Sequence, residues 1–398
     1  MESGNDLPLN GIRVIEFSHM VMGPSTGVVL ADLGADVIKI EPISGDKTRD
    51  LKGSGAGYFS MFNRNKRSIR LNLKSDAGAK IARELVTGAD VLIENFRPGA
   101  MVKLGFDYES MRELNPRLIY CSNRGFLSGP YENRTALDEV TQMMGGLAYM
   151  TGPPGRPLRA GASVIDIMGG LFGAFGILAA LEQRHRTNEG QQVTSSLFES
   201  TVFLVGQHMA QYAVTGSPAA PMPVRISAWA IYDIFATADE QSVFVGVVSD
   251  SQWQIFCRDF GFDELAADEG LRVNSERVQA RDRIMPIVRE AFSRMTRDEL
   301  MRKLEASGLP FAPIARPEDL FDDPHLTASN GLVDLTLPGG QQTRLPALPL
   351  EMDGGRFGAI RNPPRAGEHT VELLQEAGYD DATIRALLDE GIAAAERD

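Results

Sequence analysis

A chain of 398 residues with 43% apolar content can bury one large core or divide it between two domains, and its formal net charge of −13 argues against nucleic acid or an anionic membrane as the main partner. Small molecules are the favoured partner class. Two cysteines, Cys121 and Cys257, are too few for a disulfide framework or a four-thiolate zinc site, which points to a reduced, cytoplasmic setting. The start, MESGNDLPLNG, lacks a basic segment followed by an apolar run. The longest run without charged or polar side chains, residues 167–181, falls short of the roughly 18 needed to span a bilayer.

The first half alternates predicted strands and helices: GIRVIEFS, a helix over 24–33, ADVIKIE, a helix over 75–86, then ADVLIENF and RLIYCSNRGF. Short β-branched runs separated by helices predict a largely parallel α/β sheet. After Gly216 the Pro-rich SPAAPMPVR marks a linker, and IYDIFATADEQSVFVGVV reads as two strands joined by a polar turn at 238–241. Helices follow in SQWQIFCRDFG and over 281–307, residues 310–326 return to loop-like sequence, and an exposed-looking helix in TIRALLDEGIAAAERD closes the chain. The expected organisation is a large domain over 1–215, a linker over 216–230, a small α+β domain over 231–310, and a segment over 311–398 that rejoins the large domain.

Within RAGASVIDIMGGLFGAFGILAALEQR, one acid, Asp166, precedes a long apolar stretch. Gly169, Gly173, Gly176 and Ala180 recur along one helical stripe that another backbone can approach, and the absence of polar residues before Glu182 predicts a helix buried on nearly every side. Asp166 then stands where an N-cap would be. Two roles are open to it: the cap, or a partly desolvated nucleophile for a reactive acyl group, its ionised form favoured by the helix N-terminus.

Elsewhere ISGDKTRDLKGSGAG is glycine-rich but gives neither GxGxxG nor a Walker lysine pattern. NRNKRSIRL clusters Arg64, Lys66, Arg67 and Arg70, which is either a solvated charge run or a site for phosphate groups. The histidines, at 19, 185, 208, 325 and 369, lack metal-ligand spacing, and neither HExxH nor GxSxG occurs, so no metal site is expected.

LNGIRVIEFSHMVMGP, LGADVIKIE, FNRNKRSIRLNLK, ADVLIENFRPGA, LNPRLIYCSNRGF and GILAALEQRHRTNEGQQV, in that order over residues 8–200, together resemble the family III CoA-transferases, the CaiB/BaiF class that includes formyl-CoA transferase. SDSQWQIFCRDFG and GLPFAPI resemble the family's small domain and following linker more loosely. The resemblance implies a Rossmann-like large domain made from both chain ends, a smaller inserted domain, and two chains interlocked as a homodimer. It places the catalytic nucleophile at Asp166, which would attack an acyl-CoA thioester, expel CoA thiolate and form an aspartyl-acyl mixed anhydride for an incoming carboxylate. Coenzyme A is then a substrate, with no tightly bound cofactor and no metal implied.

By the same motifs the CoA-binding positions are His19, Met20, Val21 and Met22, then Leu71 and Lys74, then Asn95, Phe96, Ala100 and Lys103. Asp138, in LDEVTQMMGG, is implied to lie near the nucleophile and to position it or raise its pKa; a helix cap is the other reading. The chain departs from formyl-CoA transferase at Val21, where that enzyme has glutamine, and at VVSDSQW, where it has a glycine-run loop. Leu137 replaces the histidine with which the superfamily's α-methylacyl-CoA racemases move a proton. GLAYMTGPPGRPLRAG resembles enzymes that exchange CoA between succinate and another small dicarboxylate, whose distal carboxylate Arg159, Arg134 or Arg225 would hold. A formyl-CoA:oxalate transferase, a racemase and a CoA-thioester-binding subunit are the alternatives.

Overall fold

The computed structural model describes residues 7–225 and 227–396. Residues 1–6, where the leader argument begins, lie outside them. The chain divides into two compact units, Met1–Pro223 with Pro324–Asp398, and Val224–Asp323. The small unit therefore starts and ends beyond the 231–310 expected from the strand pattern.

In the large unit six strands, β1 (Arg13–Phe17), β2 (Asp36–Glu41), β3 (Lys66–Leu71), β4 (Val91–Glu94), β5 (Ile119–Arg124) and β6 (Gln192–Ser196), form a parallel sheet in the order β3-β2-β1-β4-β5-β6. The C-terminal strand Ala393–Ala394 adds antiparallel to β3. Alternate strand residues divide between two cores: Ile15, Ile38, Leu92 and Tyr120 pack under the helices Asp76–Thr87, Thr370–Glu376 and Asp381–Asp389, while Val14, Val37, Ile93 and Cys121 face the opposite layer. Covering both faces explains why these strands read as near-continuous apolar runs. The order reverses between β1 and β4, and ligands in such sheets bind at the crevice where it does.

Four helices shape that crevice: α1 (Met22–Asp32), α2 (Asp138–Met144), α3 (Val164–Thr187) and α4 (Leu197–Thr215). α3 packs on α1 through its small residues. A Cβ on Gly170 would stand 2.6 Å from the Met22 carbonyl oxygen, and one on Gly173 2.8 Å from Asn123 Oδ1; the Gly170 carbonyl accepts a 2.9 Å bond from Thr26 Oγ1. The expectation of burial on nearly every side fails: Phe175 is 70% exposed, and with Leu171 and Phe172 it continues into an apolar surface formed by Phe203, Leu204 and Met209 of α4. By length and composition α3 could cross a membrane, but its other face is packed against α1, β5 and β6. Composition alone cannot separate a core helix from one that also presents an apolar surface.

Three of the cluster's four cations are neither solvated nor open to a phosphate. Arg64 pairs with Asp32 (2.6 Å), Lys66 with Glu16 (2.8 Å), and Arg67 with Asp36 and Glu376 (2.6 Å each), all three cations being buried; Arg70 donates to the Ile43 and Ala394 carbonyls.

In the small unit, strands Ile231–Ala236 and Ser242–Val247 form the expected hairpin, extended by Phe311–Pro313. The predicted helix over 281–307 is two, Arg281–Phe292 and Arg297–Ser307, because Thr296 and Glu299 form a capping box that starts the second.

Gly170→Val should lower the stability of the large unit by about 3 kcal/mol through overpacking against α1. Urea denaturation followed by far-UV circular dichroism measures it.

Candidate active site

The loop leaving β1 carries His19, Met20 and Met22, and the one leaving β4 carries Asn95 and Phe96. Asn95 ties them together: its Oδ1 accepts from the His19 N–H (3.1 Å) and its Nδ2 donates to the His19 carbonyl (2.8 Å). Met20 is held at φ +63°, a left-handed conformation costly for a side chain of its size, with its N–H bonded to Thr48 Oγ1 at 3.0 Å. The His19 ring packs 5.5 Å from that of Phe96, and burial lowers its pKa, so it stands neutral at pH 7.

These loops form one side of a cavity of about 350 Å³; the opposite side comes from the residues before α2 and the start of α3, and carries Asp138 and Asp166. Asp166 is not the N-cap. Ser163 occupies that position, without a capping bond from its side chain, and Asp166 lies in the first helical turn. The cap is Asp138: its Oδ2 accepts from the N–H groups of Ile165 (2.9 Å) and Asp166 (3.1 Å), so the first residue of α2 closes the end of α3 rather than of its own helix. Gln142 Nε2 donates to the other oxygen at 2.5 Å.

Two carboxylates thus share the entrance to α3. Burial, then the negative charge of Asp138, push Asp166 up to about 7, with Arg159 pulling the other way. The helix N-terminus, expected to favour the ionised form, is outweighed, partly because Asp138 already takes the N–H groups there. Arg159 is engaged by Glu139 (2.9 Å) and by the carbonyls of Ala160 and Ala162 (3.0 Å each). Arg134 also lines the cavity, its guanidinium 5.0 Å from the Tyr131 ring centre.

Phe96 also lines a second, more open groove of about 1,160 Å³, where Leu71, Lys74 and Arg70 meet. Of the positions picked out in the sequence, His19, Met20, Met22, Asn95, Phe96, Asp138 and Asp166 therefore line the smaller cavity, and Leu71, Lys74 and Phe96 the larger. Val21 lines neither, because its side chain is buried against Val28 and Phe62. Ala100 and Lys103 line neither, although Leu104 of their helix, Ala100–Leu104, lines the groove. Arg225 belongs to the small unit, 6.0 Å from the Tyr232 ring centre. Sequence reasoning passed over three cavity residues: Tyr58, which shares a 3.2 Å hydrogen bond with Ser163; Arg97; and Arg124, paired to Glu94 at 2.7 Å. Arg97 stood inside a quoted motif, and Tyr58 directly follows the glycine-rich stretch set aside for lacking a nucleotide fingerprint.

Residues 9–370 match the family model of CoA-transferase family III. The chain belongs to that family. The succinate–glutarate CoA-transferase of Agrobacterium fabrum is 36% identical over 93% of this chain and 95% of its own. The formyl-CoA:oxalate CoA-transferase of Streptomyces coelicolor is 32% identical over 96% and 98%. A crystal structure of a CaiB/BaiF family protein from Brucella suis superposes with a TM-score of 0.81 at 34% identity, covering 93% of this chain and 99% of that one. This family III member is accordingly a CoA-transferase, an enzyme whose substrates are CoA thioesters.

The raised pKa of Asp166 in this CoA-transferase has a stability consequence. The group's ordinary value is 3.8 and its folded value about 7, so the folded state is favoured by the protonated form below the first and loses that advantage as pH rises to the second. Asp166→Asn should therefore raise Tm at pH 8 by about 2–4 °C, with the difference shrinking towards zero near pH 4. Asp138→Asn should bring the carbon-13 carboxyl titration of Asp166 below 7 by removing the neighbouring charge.

Proposed function

We propose that this enzyme moves CoA between small carboxylic acids, from succinyl-CoA or a similar donor to a small dicarboxylate, through a mixed anhydride on Asp166. The observation that carries the reading is the pairing of Asp166 with Asp138 in a cavity that shares Phe96 with a groove large enough for the rest of CoA.

In the proposed reaction, an Asp166 carboxylate oxygen attacks the thioester carbonyl, the C–S bond breaks, and CoA leaves as thiolate. The thiolate then attacks the aspartyl carbonyl of the anhydride and releases the donor acid, leaving CoA as a thioester on Asp166. An acceptor carboxylate attacks that carbonyl, forming a second anhydride and freeing the thiolate again, which attacks the acceptor's carbonyl to give the new acyl-CoA and restore Asp166. Every step exchanges one activated acyl bond for another, so no nucleoside triphosphate is consumed. CoA has to stay bound through two rounds of departure and return, a requirement the open groove with Arg70 and Lys74 suits, since cations there can hold its phosphates.

Arg134 is the residue proposed to receive the distal carboxylate, because its guanidinium rests on an aromatic ring, whereas Arg159 is occupied by Glu139 and two carbonyls. Leu137, on the cavity wall beside Asp138, has no proton to move, which speaks against α-carbon racemisation. We also infer a homodimer, supported by the apolar surface of α3 and α4. Phe175→Glu with Phe203→Glu should then elute as a monomer in size-exclusion chromatography with light scattering.

The test of the reaction is a covalent trap. The protein is incubated with succinyl-CoA, and separately with formyl-CoA and 2-methylacyl-CoAs, treated with hydroxylamine, and the peptide containing Asp166 analysed by mass spectrometry. A succinyl-CoA-dependent hydroxamate at Asp166, with a loss of about 10³-fold or more in turnover for Asp166→Ala, is the expected result. Trapping with formyl-CoA alone would give the oxalate reaction, and α-carbon deuterium exchange without trapping would give the racemase.

A further inference from the structure

On the α1 side of the sheet, charged side chains that take no part in this chemistry are buried together: Glu16, Lys39 and Lys66 at 0% exposure and Asp46 at 7%. Glu16 pairs with Lys66 at 2.8 Å and with Lys39 at 3.4 Å, and Lys39 also meets Asp46 at 3.1 Å. Replacing such a cluster by apolar residues that pack equally well is often neutral or stabilising, so stability alone does not account for it.

What apolar residues could not do is donate hydrogen bonds. Lys39 Nζ donates to the Ser18 carbonyl at 2.6 Å, and Lys66 Nζ to the Pro24 carbonyl at 3.1 Å. The Ser18 carbonyl opens the β1–α1 loop, and the Pro24 carbonyl lies in the first turn of α1. Between them lie His19, Met20 and Met22, which line the cavity, and the left-handed backbone of Met20, a conformation that persists only where the surroundings enforce it. α1 closes tightly over the cluster: a Cβ on Gly27 would fall 1.7 Å from Glu16 Oε2 and 2.9 Å from Lys66 Nζ.

We propose that Lys39 and Lys66, balanced by Glu16, are positioning residues that hold the start of the β1–α1 loop and the first turn of α1, and so the segment over residues 19–23 between them, in the shape required to receive the acyl-CoA thioester. The proposal rests on the reading that this cavity receives the thioester. It makes the loop sensitive to the charge on Lys66. Glu16 from β1, Lys39 from β2 and Asp46 from the following loop face that ammonium, Asn63 Oδ1 accepts from it at 3.1 Å, and α1 brings Pro24 and Gly27. Burial lowers Lys66 to about 8 against the pull of Glu16. Lys39, with Glu16, Asp46 and Glu41 around it, is held above the ordinary range, so Lys66 is the member that discharges first on the alkaline side.

The experiment compares the full-length wild type with Lys66→Met and Lys66→Arg, reading kcat, KM for acyl-CoA, the Kd of free CoA by calorimetry, and Tm. Lys66→Met, which leaves buried Glu16 with Lys39 alone, should lower Tm by several degrees while still folding, raise KM and Kd by about tenfold or more, and change kcat by less than about threefold. In the wild type KM should rise above pH 8, and Lys66→Arg, which keeps its charge, should hold KM flat to pH 9. Unchanged KM and Kd in Lys66→Met would overturn the proposal; if that variant does not fold, a flat wild-type KM between pH 7 and 9.5 overturns it instead. Should the wild type fail to turn over or trap any acyl-CoA, it is the function reading that falls, and the calorimetric comparison still decides whether Lys66 orders a CoA site.

Discussion

Everything at the site depends on one carboxylate closing the end of a helix that is not its own. Asp138 Oδ2 takes the N–H groups of Ile165 and Asp166 and so fixes the first turn of α3. That contact satisfies donors every helix start leaves unpaired, and it brings a second negative charge beside Asp166. The geometric role and the electrostatic role are inseparable: Asp138 cannot cap α3 without raising the energy of ionised Asp166. Arg159, tied to Glu139 and the backbone just before α3, tempers the effect without cancelling it.

The parallel sheet supplies the rest of the frame. Its order reverses between β1 and β4, so the loops leaving those strands diverge and open a crevice where backbone and side chains face a ligand instead of each other. Keeping it open requires restraint on both sides. Asn95 couples the two loops by a reciprocal pair of hydrogen bonds, and α1 and α3 come close enough, through Gly170 and Gly173, to set the far wall. Strain at Met20 and the buried charges below α1 lie together at this edge of the fold.

How much of this was legible in the sequence follows from which interactions are local. β1, β2, β4, β5 and the hairpin of the small unit announce themselves because strand burial and period-two patterning are properties of a few consecutive residues, whereas β3 was hidden inside the basic run. The residues alone left Asp166 as cap or nucleophile, and family resemblance favoured the second; its position in α3 was misjudged because Asp is so common an N-cap, and the true cap comes from 28 residues earlier. The basic run from Arg64 to Arg70 left a solvated face and a phosphate site both open because the partners of Arg64 and Arg67, namely Asp32, Asp36 and Glu376, are distant in sequence. Val21 is absent from both cavity walls for a different reason: motif position fixes where the backbone runs, not where a side chain points, and this one turns into the apolar cluster with Phe62. In α3, a helix apolar all round says that its surface should be covered, without saying by what, and Phe175 shows that the chain itself does not cover all of it.

A carboxylate poised near neutrality suits the proposed chemistry from both directions. A stronger acid would attack a thioester poorly, and a weaker one would be protonated at the working pH and then leave the anhydride reluctantly, since leaving ability falls as basicity rises. CoA exchange asks the same group to be nucleophile and leaving group in one catalytic cycle, so an intermediate basicity serves better than an extreme one. Burial and the charge of Asp138 both carry Asp166 upward, and Arg159 restrains the rise, so that it stands at about 7.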